Sequence, residues 1–451
     1  MSKDIRIKKG LDIKLVGEAQ KELDTAPISE YYSVRPEDFH SIIPKLVARE
    51  GTKVKAGETL FYNKAFESMK FVAPVSGEIV EIERGPKRRI DAIKIKADAT
   101  QEHLNHGKFD LSAATATTVK DHLLAAGCWP FIKQRPYDVI ANPENTPKAI
   151  FVSAYASAPL AADLDFTLAG KEAELQAAVT ALGMLTEGKL HVSVGKKSNS
   201  PLAGLAGISL HKVSGPHPSG NVGTQINKID PVNKGETVWT VAPQDLVIIG
   251  ELLLTGNFNP QRVIAFAGSG VSKPRYIQTI AGAQVASFIH KDGVENGANQ
   301  RVISGNVLSG KQISEDGNLD YYSNIITVIP EGDDYEFFGW NKPVFDKISP
   351  SRALTFSWLT PNKKYDLDTN TNGEHRAFVV TGNYEAVFPL DMYPMQLLKA
   401  CMYNDLDEME ALGMYEVAPE DFAITEFMCV SKQPHQKIIR EGLDLMLKEI
   451  G

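Results

Sequence analysis

Between Leu46 and Ile82 the chain reads LVAREGTKVKAGETLFYNKAFESMKFVAPVSGEIVEI, short strands punctuated by tight turns. Gly51 and Gly57 mark the first turns and Pro74 with Gly77 a later one, positions that suit only a flexible or pre-bent backbone. Between them the apolar residues alternate: Val54, then Leu60 and Tyr62, then Ile79, with Val80 and Ile82 on the other side. A period of two over such short segments predicts small antiparallel strands with one face buried.

The spacing of EGTKVKAGETL and APVSG resembles the barrel-sandwich hybrid domains that carry biotin or lipoate on a swinging lysine. The arm itself is missing. A carrier lysine sits at a hairpin tip within an Ala-Met-Lys-Met type of motif. Lys70, in SMK, lies three residues before Ala73 and so well down the returning strand. Lys64 is nearer the tip, but its neighbours are Asn63, Ala65 and Phe66. The expectation is a barrel that keeps the scaffold without a carrier lysine.

A chain of 451 residues divides into two to four domains. Its net charge of −8, with no long basic run, argues against nucleic acid. The densest basic cluster, Lys87 to Arg89, follows Gly85 and reads as a solvated turn. MSKDIRIKKG has neither an apolar core nor a cleavage site, which predicts no export. The longest apolar run, Leu123 to Ile132, falls well short of the ~20 residues a spanning helix needs. The stretch Val238–Gly256 is broken by Gln244, Asp245 and Glu251. Work at a membrane would therefore require another anchor. Cys128, Cys401 and Cys429 are too scattered for a disulfide framework or a one-chain cluster, and read as small buried apolar residues. The ten histidines form no metal-type pair. His103 and His106, in QEHLNHGKFD, read as a solvated linker.

The predicted fold class is α+β multidomain, in four modules. A barrel-sandwich hybrid takes residues 1–100 and closes with DAIKIK. A Rossmann-like α/β domain takes 101–256: strand Ile150–Ala154, a helix through KEAELQAAVTALGM with Leu175, Ala178, Val179 and Leu182 on one stripe, then strand KLHVSV. A β-grasp domain of the soluble-ligand-binding type takes 257–345. A mainly helical C-terminal domain takes 346–451 and ends on a helix carrying Ile439, Leu443, Met446, Leu447 and Ile450.

Phosphate-cradling motifs are incomplete. GSGVSK at Gly268 lacks a third glycine and opens no helix, and GKKS at Gly195 lacks the upstream glycine. The loop SGPHPSGNVGT, Ser214 to Thr224, would be able to expose backbone N–H groups to an anion, but the expected reading is an ordered surface turn. Asp333–Asp334 and Asp405–Asp407 read as solvated acidic faces. No metal site and no nucleophile–base pair is predicted.

AAGCWPFIKQRPYD, SGPHPSGNVGTQINKIDPV, QDLVIIG, RVISGNVLSG, TNGEHRAFVVTGNYEAVFPLDMYP and EFMCVSKQ resemble, in order along the whole chain, the A subunits of the bacterial Na⁺-translocating NADH:quinone oxidoreductases. More distantly the module order is similar to the C subunit of Rnf complexes and to the flavin-binding subunit of respiratory complex I. Where flavin-binding relatives have a glycine-rich loop this chain has Ala125 to Pro130, with one glycine and the bulky Trp129. Where they have an acidic turn it has SAYASAP, Ser153 to Pro159. The Rnf cysteine clusters are likewise missing near Cys401 and Cys429.

The resemblance implies a peripheral subunit on the cytoplasmic face of the inner membrane, in a respiratory complex that passes electrons from NADH to ubiquinone or another quinone and exports Na⁺. It implies membrane-embedded partner subunits that hold the flavins and iron–sulfur centres, no cofactor on this chain, and no catalysis by the chain alone. Gly127, Trp129, Pro130 and Phe131 would suit a slot for a quinone ring, with Lys133 or Arg135 donating to a carbonyl oxygen. Core and interface packing explains the same residues equally well. A stand-alone carrier or scaffold protein on the biotinyl/lipoyl-like module is the alternative function.

Overall fold

In the computed structural model, residues 2–292, 294, 299–333, 336–339, 345, 347–349 and 354–451 are described. Two short strands, β1 (Asp4–Arg6) and β2 (Gln20–Thr25), come first, and neither joins the barrel. The barrel is built from β3 (Tyr31–Val34), β4 (Pro44–Leu46), β5 (Lys53–Val54), β6 (Thr59–Asn63), β7 (Phe66–Val72), β8 (Gly77–Arg84) and β9 (Ile90–Ala97). Its two sheets have the orders β3-β9-β8-β5 and β4-β6-β7. Val54, Leu60, Ile79, Ile93 and Ile95 fill the space between them, as period-two burial requires. Phe61 is buried beside Leu60 and stacks on Phe71 at 4.7 Å. The simple alternation fails there because the β6–β7 register slips between Thr59 and Phe61 and again between Tyr62 and Asn63. Lys64 and Ala65 form the exposed tip of this hairpin, while Lys70 pairs with Tyr62 down the strand. Lys87 to Arg89 lie in the exposed β8–β9 turn, as expected of a solvated cluster.

A strap from Asp98 to Leu111 leads away from the barrel. It corrects the expectation of a solvated linker. Leu104 N–H bonds Ala56 O, His106 N–H bonds Gly256 O, and His103 Nδ1 lies 3.1 Å from Phe258 O. His106 packs edge-on against His122, and burial lowers the pKa of both rings.

The α/β region runs α1 (Ala116–Ala125), β10 (Ile132–Arg135), β11 (Val139–Ile140), β12 (Ala149–Ala154), α2 (Leu164–Thr167), α3 (Glu172–Gly183), β13 (Lys189–Gly195), β14 (Ser209–Ser214), α4 (Val222–Ile229), β15 (Val238–Val241) and α5 (Pro243–Thr255). Its seven-stranded sheet has the order β1-β14-β13-β12-β15-β10-β11. Strands β1 and β12 to β15 are parallel, and β10 and β11 are antiparallel additions. The β12–α3–β13 unit is the crossover expected from the sequence. Leu175, Ala178, Val179 and Leu182 lie buried with Val192 and Val194 on one sheet face. On the other, Ile226 and Ile229 of α4 pack on Ile5, Phe151 and Val213.

The third sheet, β19-β18-β20-β16-β17-β2, contains β16 (Gln261–Ala267), β17 (Arg275–Ile280), β18 (Gln300–Ser304), β19 (Lys311–Ile313) and β20 (Ile325–Pro330), with α6 (Ala286–Asp292) beside it. GSGVSK is therefore the β16–β17 connection and opens no helix, as its missing glycine predicts.

The C-terminal part is helical: α7 (Asn383–Val387), α8 (Pro394–Tyr403), α9 (Leu406–Ala411), α10 (Ala423–Phe427) and α11 (His435–Glu449). The α11 stripe buries Ile439, Leu443 and Met446 against Leu397, Leu398 and Phe422. Asp405 caps α9 by accepting from Glu408 N–H, so it is a structural carboxylate. Asp334 lies outside the described residues. The three cysteines are free and buried, as their spacing suggested.

Candidate functional site

Helix α1 starts on a Thr115–Thr118 capping box and ends at Ala125, and the chain must turn sharply to enter β10. Gly127 makes that turn at φ 76°, and a Cβ there would stand 2.5 Å from Val72 Cγ2 of the barrel. A short 3-10 turn, Trp129–Phe131, follows. Trp129 is fully buried, donates from Nε1 to Ala141 O at 2.7 Å, and meets Trp239 edge-on at 5.4 Å. Phe131 stacks on Tyr321 at 5.4 Å and on Phe258 at 6.3 Å. Tyr322 donates to Pro130 O at 2.7 Å, and Lys133 places its ammonium 4.4 Å from the centre of the Tyr322 ring. Burial pushes both phenols, Tyr321 and Tyr322, far above the usual tyrosine range.

Beside this aromatic group lies a buried ion pair, Arg262 to Asp245 at 2.7 Å. The Arg262 guanidinium is 5.8 Å from the Phe131 ring centre, and its Nε finds no partner among the described residues. Burial raises the pKa of Asp245, and the arginine opposes that shift. The sequence flagged Asp245 only as a break in an apolar helix. Its partner and the two tyrosines went unread, because they come from β16 and from the loop before β20.

Gly127, Trp129, Phe131 and Lys133 are thus brought together, packed where the barrel, the α/β sheet and the third sheet meet. Arg135 belongs to another group. It donates from Nη1 to Glu416 O and to Asp421 Oδ2, both at 2.7 Å, and from Nη2 to Glu420 Oε1 at 3.2 Å. Burial works against its charge, but Asp421, Glu420 and Asp138 outweigh it and raise the pKa. The arginine expected to donate to a carbonyl oxygen is the fastening of the C-terminal helices to β10.

The loops SAYASAP and SGPHPSGNVGT meet at the carboxyl ends of β12 and β14, where open parallel sheets commonly hold ligands. The second loop is ordered, as one reading had it, but it is buried at its centre where a surface turn was expected. The reason is a set of mutual bonds. Gly220 N–H donates to Ser157 Oγ, Ser153 Oγ to Gly220 O, and Tyr155 OH to Gly215 O. The N–H groups of Ser219 and Asn221 bond Pro216 O and Pro218 O. Ser157 Oγ lies 3.1 Å from His217 Nδ1, and burial holds that imidazole down to about 4. A ring so averse to protonation is a poor general base, so the pair reads as structural. Among the described residues no group of three or more His, Cys, Asp or Glu would hold a metal ion.

Three family descriptions match the chain in sequence order: the NqrA N-terminal barrel-sandwich hybrid domain over residues 5–98, the NqrA second alpha/beta domain over 114–258, and the NQRA C-terminal domain over 263–315. The chain is 36% identical over 450 residues to the A subunit of the Na(+)-translocating NADH-quinone reductase of Rhodopirellula baltica, covering 98% of each. It is 35% identical to the protein of that name from Serratia proteamaculans, covering 99% of this chain and 100% of the other. The Neisseria meningitidis serogroup A protein of the same name is 36% identical at the same coverage. A solved chain of an NAD+-reducing hydrogenase covers 51% of this chain and 52% of its own, at 11% identity and a TM-score of 0.34, too low for any argument.

Proposed function

Because this chain belongs to the NqrA family, the A subunits of the Na(+)-translocating NADH-quinone reductases, we propose that it works as a peripheral subunit of such a complex, on the cytoplasmic face of the inner membrane. The supporting observation is identity spread over the full length of both proteins, with three family domain descriptions matching in order over residues 5–315. Among the described residues no helix is long and apolar enough to cross a membrane, so membrane-embedded siblings supply the attachment and the sodium path. Those partners carry the flavins and iron–sulfur centres, and electrons reach quinone through them. In this chain the barrel, the α/β sheet and the third sheet pack on one another at the junction around Trp129 and Phe131. The test is a membrane preparation from a strain lacking this chain. NADH:quinone reductase activity and Na⁺ export fall, and the tagged chain restores both and copurifies with the membrane subunits. Undiminished sodium-dependent activity without the chain would sink the proposal.

A second reading has one observation in its favour: Arg262 Nε, buried beside Phe131 without a partner among the described residues, would suit a quinone carbonyl. A quinone ring stacked on Phe131 in place of Tyr321 requires Tyr321 to leave its stack. A short-chain quinone titrated into the isolated chain would then quench tryptophan fluorescence saturably, and Trp129→Ala would abolish most of that response. A linear, non-saturable response would leave the junction as packing alone.

A further inference from the structure

At one rim of the seven-stranded sheet the helical cover stops before the strands do. Val194 of β13 stands in register with Lys212 of β14, and Lys212 with Asp4 of β1. Residues in register on parallel strands project from the same face. The face that buries Val192 and Val194 under helices therefore continues outward as Lys212, Asp4 and, two residues on, Arg6, all exposed. The opposite face is apolar and covered, with Ile5, Ile7 and Val213 against α4.

Lys8 extends the exposed row beyond β1, and Lys196 and Lys197 close it at the end of β13, where Lys196 N–H bonds Val213 O. Asp4 is the one carboxylate in the group, and Lys196 already holds it at 3.1 Å. Arg6, Lys8, Lys197 and Lys212 are exposed and make no ion pair among the described residues. A lysine or two on an edge strand is enough to discourage strand addition. Arg6, Lys8 and Lys212 along one open sheet face, with Lys197 in the turn at its end, exceed that need, and their sign is opposite to the chain's net charge of −8.

We propose that this uncovered sheet face binds the phosphates of anionic lipid headgroups and seats the protein on the bilayer surface; the inference rests on the peripheral-subunit reading. The arrangement suits the task. Clustered cations near an anionic leaflet add their attractions, an arginine fork and lysine point charges both take phosphate oxygens, and no apolar insertion is involved.

The test is cosedimentation of the full chain with vesicles of phosphatidylcholine alone and of phosphatidylcholine mixed with phosphatidylglycerol. Binding is expected only to the anionic vesicles, and it disappears in about 1 M salt, where the screening length falls to ~3 Å. The double variant Arg6→Glu with Lys212→Glu should bind at least about tenfold more weakly, while Lys8→Arg binds as wild type. Matching thermal melts establish that the variants are folded. Equal binding to neutral vesicles, or a double variant that binds unchanged, overturns the inference. So does binding to no vesicle combined with a charge-dependent loss of sibling subunits, which would assign the face to an acidic protein partner. Copurification with the membrane subunits, measured separately, reports on the peripheral-subunit reading and survives the failure of this one.

Discussion

Replacing Arg135 with methionine isolates the fastening between β10 and the C-terminal helices. The side chain is 2% exposed and Asp421 0%, so their 2.7 Å contact operates without water. Glu420, with a side chain 45% exposed, is partly screened by water and contributes less than Asp421. In Arg135→Met the Asp421 carboxylate stays buried with Ala418 N–H still donating to it, and Glu416 O loses its bond from Nη1. An uncompensated buried charge costs ~3–5 kcal/mol. Arg135→Lys keeps the charge but loses the fork, and should cost about 1–3 kcal/mol. In Arg135→Met with Asp421→Leu both charges go, and much of the loss returns, leaving about 1–3 kcal/mol for two unmade bonds, from Ala418 N–H and to Glu416 O. The assay is the urea transition of the full chain, followed also by the labelling rate of Cys401 and Cys429, which are buried in the helical part. A single variant within about 0.5 kcal/mol of wild type, or a double variant no better than Arg135→Met, would refute the reasoning.

Three further outcomes are expected. Gly127→Ala should lose ~2–5 kcal/mol, from a positive φ and from overpacking against Val72, and Val72→Ala in the same chain should recover the steric share; equal effects in both backgrounds would refute the contact. Burial holds His191, His217 and His435 to about 4 against an ordinary 6.5, so the unfolded chain binds protons first and stability falls as pH drops from 6.5 towards 4, by up to ~3 kcal/mol for each ring. Urea midpoints unchanged across that window would contradict it. Cys128, whose thiol burial pushes up, should resist a thiol reagent until the fold opens; stoichiometric labelling of native protein at neutral pH would count against its burial.

The barrel was legible because short alternating strands with glycine and proline turns leave few other arrangements. The β12–α3–β13 crossover was legible because the α3 stripe has a helical period. Strands β1 and β2 were not. DIR is too short to show a period, and QKELDT is exposed at every position, so nothing in either announces a partner more than two hundred residues away. Trp129 and Phe131 stood out as an aromatic pair beside a lone glycine. What packs on them did not, since Tyr321, Tyr322 and Arg262 arrive through sheet geometry that no local pattern encodes. Arg135 and Lys133 looked equivalent in sequence, and only the fold separates a cation over a tyrosine ring from a buried clamp.

The pairing of β1 with β14 has a consequence for the order in which the protein is made. Lys3 N–H reaches His211 Nδ1 across 208 residues of chain, and Gln20 pairs beside Arg275. A ribosome adding roughly 5–20 residues per second finishes β1 on the order of ten to forty seconds before β14 emerges. Throughout that interval Ile5 and Ile7 lack the strand they pair beside, and for the latter half of it the barrel behind them already has all its strands. The first residues synthesised thus find their place only once nearly half the chain has followed them, and the segment must stay unpaired and soluble while it waits.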